Sequence, residues 1–254
     1  TMVAAGLSTA ITDQFPDKFE NSMAVTPAAD LRSALDQVFT EHAGLAVMAM
    51  QNGVDGDPDF EASSAALLAN ADDLAAAVSS VYGEEGGEAF DAIWKSHIGY
   101  FVDYVTATAN DDQAGKDQAM KELEGYVVEQ AAFLETATEG GLPAADLEAG
   151  LTEHVKQLIA AFDQYVAGDY EASYASLRGA YAHMLMPAEG LSQTIVNQFP
   201  EKFSGQSMPD GMPKTGMGGT ADQDGMPYEW FLLGGLLAAA IGGAFALRKA
   251  SNEA

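Results

Sequence analysis

The sequence contains no cysteine and few basic residues, and both absences restrict what the protein can do. Its 254 residues include 38 acidic residues and 11 basic ones, which gives a net charge of −27. Without cysteine there is no disulfide, zinc–thiolate site, iron–sulfur cluster or thioether-linked haem. Nucleic acid is not expected as a partner, because binding to phosphates requires a basic face. A strongly acidic surface is typical of an extracellular protein that meets salt or cations.

Patterns typical of β-strands and of common catalytic sites are also missing. No stretch alternates between apolar and polar residues for long enough to predict a strand. The sequence has no phosphate-binding loop, no strand–turn–helix motif and no recognisable pair of nucleophile and base. We therefore predict an all-α protein, and we prefer a non-enzymatic role while leaving an enzyme as the third choice.

A repeated unit organises residues 26–203, which predict three helical hairpins in one antiparallel bundle of six helices. The first helix of each hairpin carries one histidine near its middle: His42, His97 and His154. Each of them lies 15 residues before an aspartate at the turn. His183 lies 14 residues after the turn of the last hairpin, so His154 and His183 should stand at one level.

The return helices of the first two hairpins should bring other polar residues to this level. Tyr126 takes the place of His183 in the second hairpin, and Asn70 lies near it in the first. Gly44 and Gly99 each follow a histidine by two residues. Glycine inside a helix costs about 1 kcal/mol relative to alanine, so it often marks a close approach by another chain segment or by a flat cofactor.

All four histidines fall on apolar helical stripes, and this pattern has two interpretations. An imidazole inside a bundle needs partners for both ring nitrogens, and a metal or haem iron can serve as one of them. We predict a site for copper or another transition metal, with haem b as the alternative cofactor. The candidate ligands are His42, His97, His154, His183, Met184 and Met186. The thioethers suit copper(I), whereas the competing interpretation is that these side chains only pack.

The first residues of the chain repeat a segment near the end of the bundle. Leu7–Phe19 matches Leu191–Phe203 at eight of thirteen positions. We interpret residues 1–20 as the last helix of a preceding tandem bundle. This helix should pack either on that bundle or on the equivalent surface of residues 26–203.

The end of the chain predicts a membrane anchor. Residues 204–227 are rich in Gly, Pro and Met, which is typical of a flexible linker. Trp230–Leu247 is a run of 18 uncharged residues followed by Arg248 and Lys249. We predict a single-pass transmembrane helix over 228–248, with the bulk of the chain extracellular and residues 249–254 in the cytoplasm.

A short segment of the linker provides a second means of attachment. Met212–Gly216 resembles the sortase signal Leu-Pro-x-Thr-Gly with Met in the first position. An apolar span and a basic tail follow it, as they follow sorting signals. Cell-wall attachment at this segment is therefore a further prediction.

Three local patterns carry a family resemblance, namely Trp94–Phe101, Thr152–His154 and Ala182–Met184. Over about residues 26–203 the chain resembles a group of bacterial cell-surface helical-bundle proteins that are sometimes labelled copper amine oxidase-like. The resemblance implies an exported protein and copper, but it carries over no residue-level activity. The modified tyrosine in a β-rich domain that an amine oxidase requires is not recognisable. A looser likeness to hemerythrin-like bundles is not supported by the ligand spacing.

Two functions follow from these patterns. The leading hypothesis is a membrane-anchored extracellular bundle whose buried histidines hold a metal or haem for electron transfer or metal handling. The alternative is a structural surface protein without a cofactor, in which tandem acidic bundles form a stalk or fibre. Self-association, or contact with other membrane or surface proteins, is expected under both hypotheses.

Overall fold

The computed structural model describes residues 2–19 and 25–203, and all regular elements in these ranges are helical. The all-α prediction is therefore confirmed for the described residues. The helices are α1 (Met2–Gln14), α2 (Pro27–Asp55), α3 (Phe60–Tyr82), α4 (Glu84–Ala109), α5 (Gln113–Ala137), α6 (Ala144–Val166), α7 (Tyr170–Gln198) and α8 (Pro200–Phe203), with a short 3-10 turn at Pro16–Lys18.

Side-chain caps and glycines set several of the helix ends. Thr26, Asp112 and Asp169 each accept a hydrogen bond from a backbone N–H three residues later, which satisfies one free donor of α2, α5 and α7. Gly168 ends the α6–α7 turn with φ of 78°, a conformation that favours glycine. Asp57, the aspartate 15 residues after His42, belongs with Pro58 to the turn, and α3 begins at Phe60.

Six long helices form a closed ring in chain order. Each of α2 to α6 packs against the next helix, and α7 returns to pack against α2. Short turns make neighbouring helices antiparallel, so α2, α4 and α6 run in one direction. Helix α2 also contacts α4 and α6. The predicted bundle is thus confirmed, and the three helices that carry the repeated histidines meet in its interior.

The glycines near the histidines do not share one role. A methyl group at Gly44 would overlap the hydroxyl of Tyr181 on α7, whereas a methyl group at Gly99 would meet nothing within 4 Å. Of these two glycines, close packing therefore explains only Gly44. A tighter approach occurs at Gly87, where a methyl group would overlap Ser79 and lie 2.9 Å from the carbonyl oxygen of Ala75.

We expect Gly87→Ala to destabilise the protein by roughly 1–3 kcal/mol, because α3 would have to move away from α4. Gly99→Ala is the matched control in the same helix and should stabilise the protein by up to about 1 kcal/mol through helix propensity. Urea denaturation of both variants checks this. Equal stabilities for the two variants would contradict the close approach.

The N-terminal helix does not bury its apolar side chains as its C-terminal counterpart does. Val3 is 85 % exposed and Leu7 is 60 % exposed. The residues that match Leu7 and Ile11 are Leu191 and Ile195, and both are buried in the bundle. The structure therefore does not show α1 packed on this domain. Its assignment to a preceding bundle stays a prediction.

No helix within residues 2–19 and 25–203 is long and apolar enough to cross a membrane. The predicted linker, the sortase-like segment Met212–Gly216, the anchor Trp230–Leu247 and the tail 249–254 all lie outside the described residues. The membrane anchor and the cell-surface location stay predictions.

Candidate metal centre

Three of the four histidines meet in the interior of the bundle. His42, His97 and His154 are at most 3 % exposed, and one ring nitrogen of each lies within 4.8 Å of the others. The Nε2 atoms of His42 and His97 are 3.3 Å apart. The ring of His42 lies 5.3 Å from that of His97 and 5.9 Å from that of His154, centroid to centroid. We call these three residues the histidine cluster.

The repeat explains why the cluster forms. Each of its histidines lies twelve or thirteen residues before the C-terminal end of its helix. Because the rise per residue is constant and α2, α4 and α6 are parallel, equal offsets place the three rings at one level. Each histidine belongs to a stripe of apolar residues at helical spacing, and this stripe packs toward the core.

The hydrogen bonding of His97 fixes its tautomer. Its Nδ1 contacts the backbone carbonyl oxygen of Trp94. A carbonyl can only accept a hydrogen bond, so Nδ1 carries the proton and Nε2 keeps a free lone pair. The same arrangement is common among histidines that bind metals, because the backbone contact orients the ring.

Asn70 plays a comparable part beside His42. Its amide nitrogen donates to the carbonyl of Val38 and to the carboxylate of Glu41, both at 3.0 Å. Its buried oxygen has no donor, and Nδ1 of His42 has no partner in the described part of the chain. Burial lowers the pKa of His42, and the contact with the Asn70 side chain acts against this by raising it. These two free groups are complementary, since an N–H at Nδ1 would donate to the Asn70 oxygen and leave Nε2 as a lone pair.

His154 is the least satisfied member of the cluster. Both of its ring nitrogens are buried, and neither has a hydrogen-bond partner among the residues described. A buried polar atom without a partner costs about 1–3 kcal/mol. Such an atom in a native fold needs an explanation such as a bound ion, a water or a functional role.

The cluster is uncharged at neutral pH. Burial is the main cause that lowers the pKa of His42, His97 and His154 to about 3 in each case. Repulsion between neighbouring rings lowers these pKa values further. His97 lowers the pKa of His42, and His154 lowers that of His97. The pKa of His154 is lowered by His42 and His183. Neutral imidazoles are the form that binds metals.

The other predicted ligands lie outside the cluster. His183 is half-buried, and its Nε2 lies 2.9 Å from the carbonyl oxygen of Gly150, to which it donates. His183 therefore stands near His154, as the matched levels require, but this candidate ligand does not join the other three histidines. Met184 is buried in the core, whereas Met186 is 67 % exposed, which argues against Met186 as a ligand in the interior.

Other side chains complete the surroundings of the cluster. Tyr126 stacks on His97 with ring centroids 4.5 Å apart, at the level predicted for it. The indole of Trp94 lies 4.9 Å from His42 and 4.8 Å from His97. On the same helix as Tyr126, sequence reasoning missed Gln130, which is fully buried with neither amide atom bonded to a described residue. Its spacing of four residues from Tyr126 could have indicated it.

The cluster fits a single metal ion better than a haem. Axial nitrogens of one haem stand about 4 Å apart on opposite faces of a flat ring. The 3.3 Å between His42 and His97 is shorter, and the contacts between their rings and Trp94 leave no flat slot. Three histidines without thiolate match the donor sets of zinc, copper, iron and nickel sites. Three buried histidines that could bind a metal are therefore established, whereas haem is not supported.

Comparison with known proteins adds no assignment. No family model matches the chain, and neither the curated proteins nor the solved structures gave a match. The resemblance to copper amine oxidase-like surface proteins therefore stays a prediction, and the function must be argued from the histidine cluster.

Proposed function

We propose that this protein holds one copper ion between His42, His97 and His154 as a resident redox centre for electron transfer. The observation that carries the proposal is the 3.3 Å separation of the two Nε2 atoms of His42 and His97. If both atoms keep lone pairs, they repel each other unless a cation or a proton lies between them. Bound copper would supply a one-electron couple.

The distance agrees with ordinary coordination geometry. Metal–nitrogen bonds of about 2.0–2.1 Å at a tetrahedral angle place two ligand nitrogens about 3.3 Å apart. The nitrogens of the whole cluster lie within 4.8 Å of one another, so His154 must approach by up to about 1.5 Å to reach the same geometry. This movement breaks no hydrogen bond of His154, because neither of its ring nitrogens has a partner among the described residues.

Charge favours copper(I) among the candidate metals. Three neutral imidazoles supply no compensating charge, and no carboxylate of a described residue belongs to the cluster. The cost of burying an ion grows with the square of its charge, so a divalent ion costs about four times as much as a monovalent one. Imidazole is also a common copper ligand. We therefore propose copper, with copper(I) as the resting state, ahead of zinc(II) or iron(II), and oxidation to copper(II) is less favourable here than in water.

Burial favours a resident ion over a transported one. The three histidines are almost inaccessible to solvent, so an ion enters or leaves only when helices move apart. This burial disfavours metal handling, which needs uptake and release of the ion. The alternative of purely structural histidines leaves both ring nitrogens of His154 buried without partners among the described residues. We place the centre on the outer side of a membrane because of the predicted anchor at Trp230–Leu247.

Anaerobic copper(I) titration against a coloured chelator tests the proposal. We expect one copper ion per chain in the wild type and a loss of affinity of at least about 100-fold in His97→Ala or His154→Ala, since even changes outside the ligand set cost 10–100-fold. His183→Gln is the matched control, because His183 bonds Gly150 instead of joining the cluster. It should retain wild-type affinity.

Two results would contradict the proposal. One is a wild-type protein that takes up no copper. The other is copper binding that persists in His154→Ala and is lost in His183→Gln. A parallel titration with zinc(II) checks the choice of metal, and tighter binding of zinc than of copper would overturn it.

A further inference from the structure

A cavity of about 40 Å³ lies between α2, α3 and α4, and His42 and His97 form part of its wall. A space of roughly 10–15 Å³ holds one water molecule, whereas an engineered cavity of about 150 Å³ holds benzene. The cavity therefore has room for a molecule of two or three heavy atoms.

The wall of the cavity is apolar apart from the two histidines and Ser64. The hydroxyl of Ser64 is buried and has no partner among the described residues. Charged or strongly polar molecules are excluded from such a space, because they would lose their hydration without new hydrogen bonds. Its wall on α4 runs from His97 to Val105, a length of about 12 Å along the helix. The cavity is thus an apolar space beside two of the proposed ligands, with His42 and His97 at the first positions of its walls on α2 and α4.

We propose that this cavity brings a small neutral diatomic molecule, of the class of dioxygen, nitric oxide and carbon monoxide, to the metal as its fourth ligand. The inference rests on the proposed function, since it needs a metal in the histidine cluster. Three protein ligands leave one position of a tetrahedral ion open, as in metal sites that react with small molecules. The histidine cluster is then a binding site for such molecules and not a closed site for electron transfer alone.

Carbon monoxide is a suitable probe because it binds copper(I) without changing the oxidation state. The copper(I)-loaded wild type should bind one carbon monoxide per copper, seen as a single infrared band. After flash photolysis we measure the rate of rebinding. In Ala46→Leu and Ala49→Leu, which place a larger side chain into the cavity wall, this rate should fall at least tenfold.

Ala77→Leu is the matched control. Ala77 lines a second apolar cavity, of about 20 Å³, whose wall includes no histidine. This variant should rebind carbon monoxide at the wild-type rate. Copper content is measured for every variant, and Ala49→Leu, two helical turns from His42, keeps the test valid if Ala46→Leu binds no copper.

The outcomes separate the two proposals. A copper-loaded wild type that binds no carbon monoxide would overturn this inference and leave the proposed function intact. A wild-type rate of carbon monoxide rebinding in both Ala46→Leu and Ala49→Leu would show that the molecule does not reach the metal through this cavity. A wild type without copper would overturn both proposals.

A measurement without metal is also available, since xenon under pressure should shift the methyl resonances of Leu67 and Val105 in the wild type and not in Ala49→Leu. Absence of the shift in the wild type would overturn the cavity as a binding site.

Discussion

His154→Leu should make the metal-free protein more stable by roughly 1–3 kcal/mol, even though it removes a side chain from the core. Both ring nitrogens of His154 are buried without partners in the described structure. Leucine has a similar volume and no polar atom, so the substitution removes the cost of burying these groups. The same variant should lose copper binding. Urea denaturation in the presence of a chelator measures the stability.

His183→Leu provides the matched comparison. Nε2 of His183 donates to the carbonyl of Gly150 at 2.9 Å, so its loss should destabilise the protein by about 0.5–1.5 kcal/mol. If the free energy of unfolding rises in His154→Leu and falls in His183→Leu, then His154 serves binding and His183 serves stability. If His154→Leu is destabilised as much as His183→Leu, the histidines are structural and the metal proposal loses its support.

The levels of the site residues along the bundle could be predicted from the sequence, because a helix rises by a constant amount per residue. The matched offsets from the turns brought His42, His97 and His154 together. They also placed Tyr126 on His97 and Asn70 beside His42. Level depends only on counting residues from a turn, and the turns were marked by recognisable signals.

The direction in which each side chain points could not be predicted in the same way. Successive residues of a helix differ by about 100° around its axis, and the packing of neighbouring helices decides which face is turned inward. His183 stands near His154, yet it turns to the carbonyl of Gly150 on α6. Met186 turns to solvent. Gln130 has no counterpart in the histidine pattern, and only its spacing of four residues from Tyr126 pointed to its burial.

Acidification should unfold the metal-free protein well before most of its carboxylates are protonated. The pKa of His42, His97 and His154 falls from the ordinary 6.5 to about 3 on folding. Between these values the unfolded chain binds more protons than the native one, so the free energy of unfolding decreases as the pH falls. The stabilisation is fully present above about pH 6.5 and is lost as the pH falls toward 3.

The expected loss is large because three histidines contribute together. From pH 7 to pH 5 each should remove nearly 2 kcal/mol, or about 6 kcal/mol in total, against a typical stability of about 5–15 kcal/mol. Burial raises the pKa of the carboxyl groups of Asp73 and Asp103, which acts in the opposite direction. Urea denaturation at several pH values measures the slope.

Two controls connect this slope to the histidine cluster. His154→Leu should reduce the pH dependence by about a third, because one of the three titrating groups is gone. Copper(I) should keep the wild type folded to lower pH, since an ion bound to the imidazoles competes with protons for the same nitrogens. A free energy of unfolding that changes by less than about 1 kcal/mol between pH 7 and pH 5 would show that the three imidazoles take up protons without disrupting the fold. Water would then reach the histidine cluster in the native state, and an isolated, resident metal centre would no longer fit this bundle.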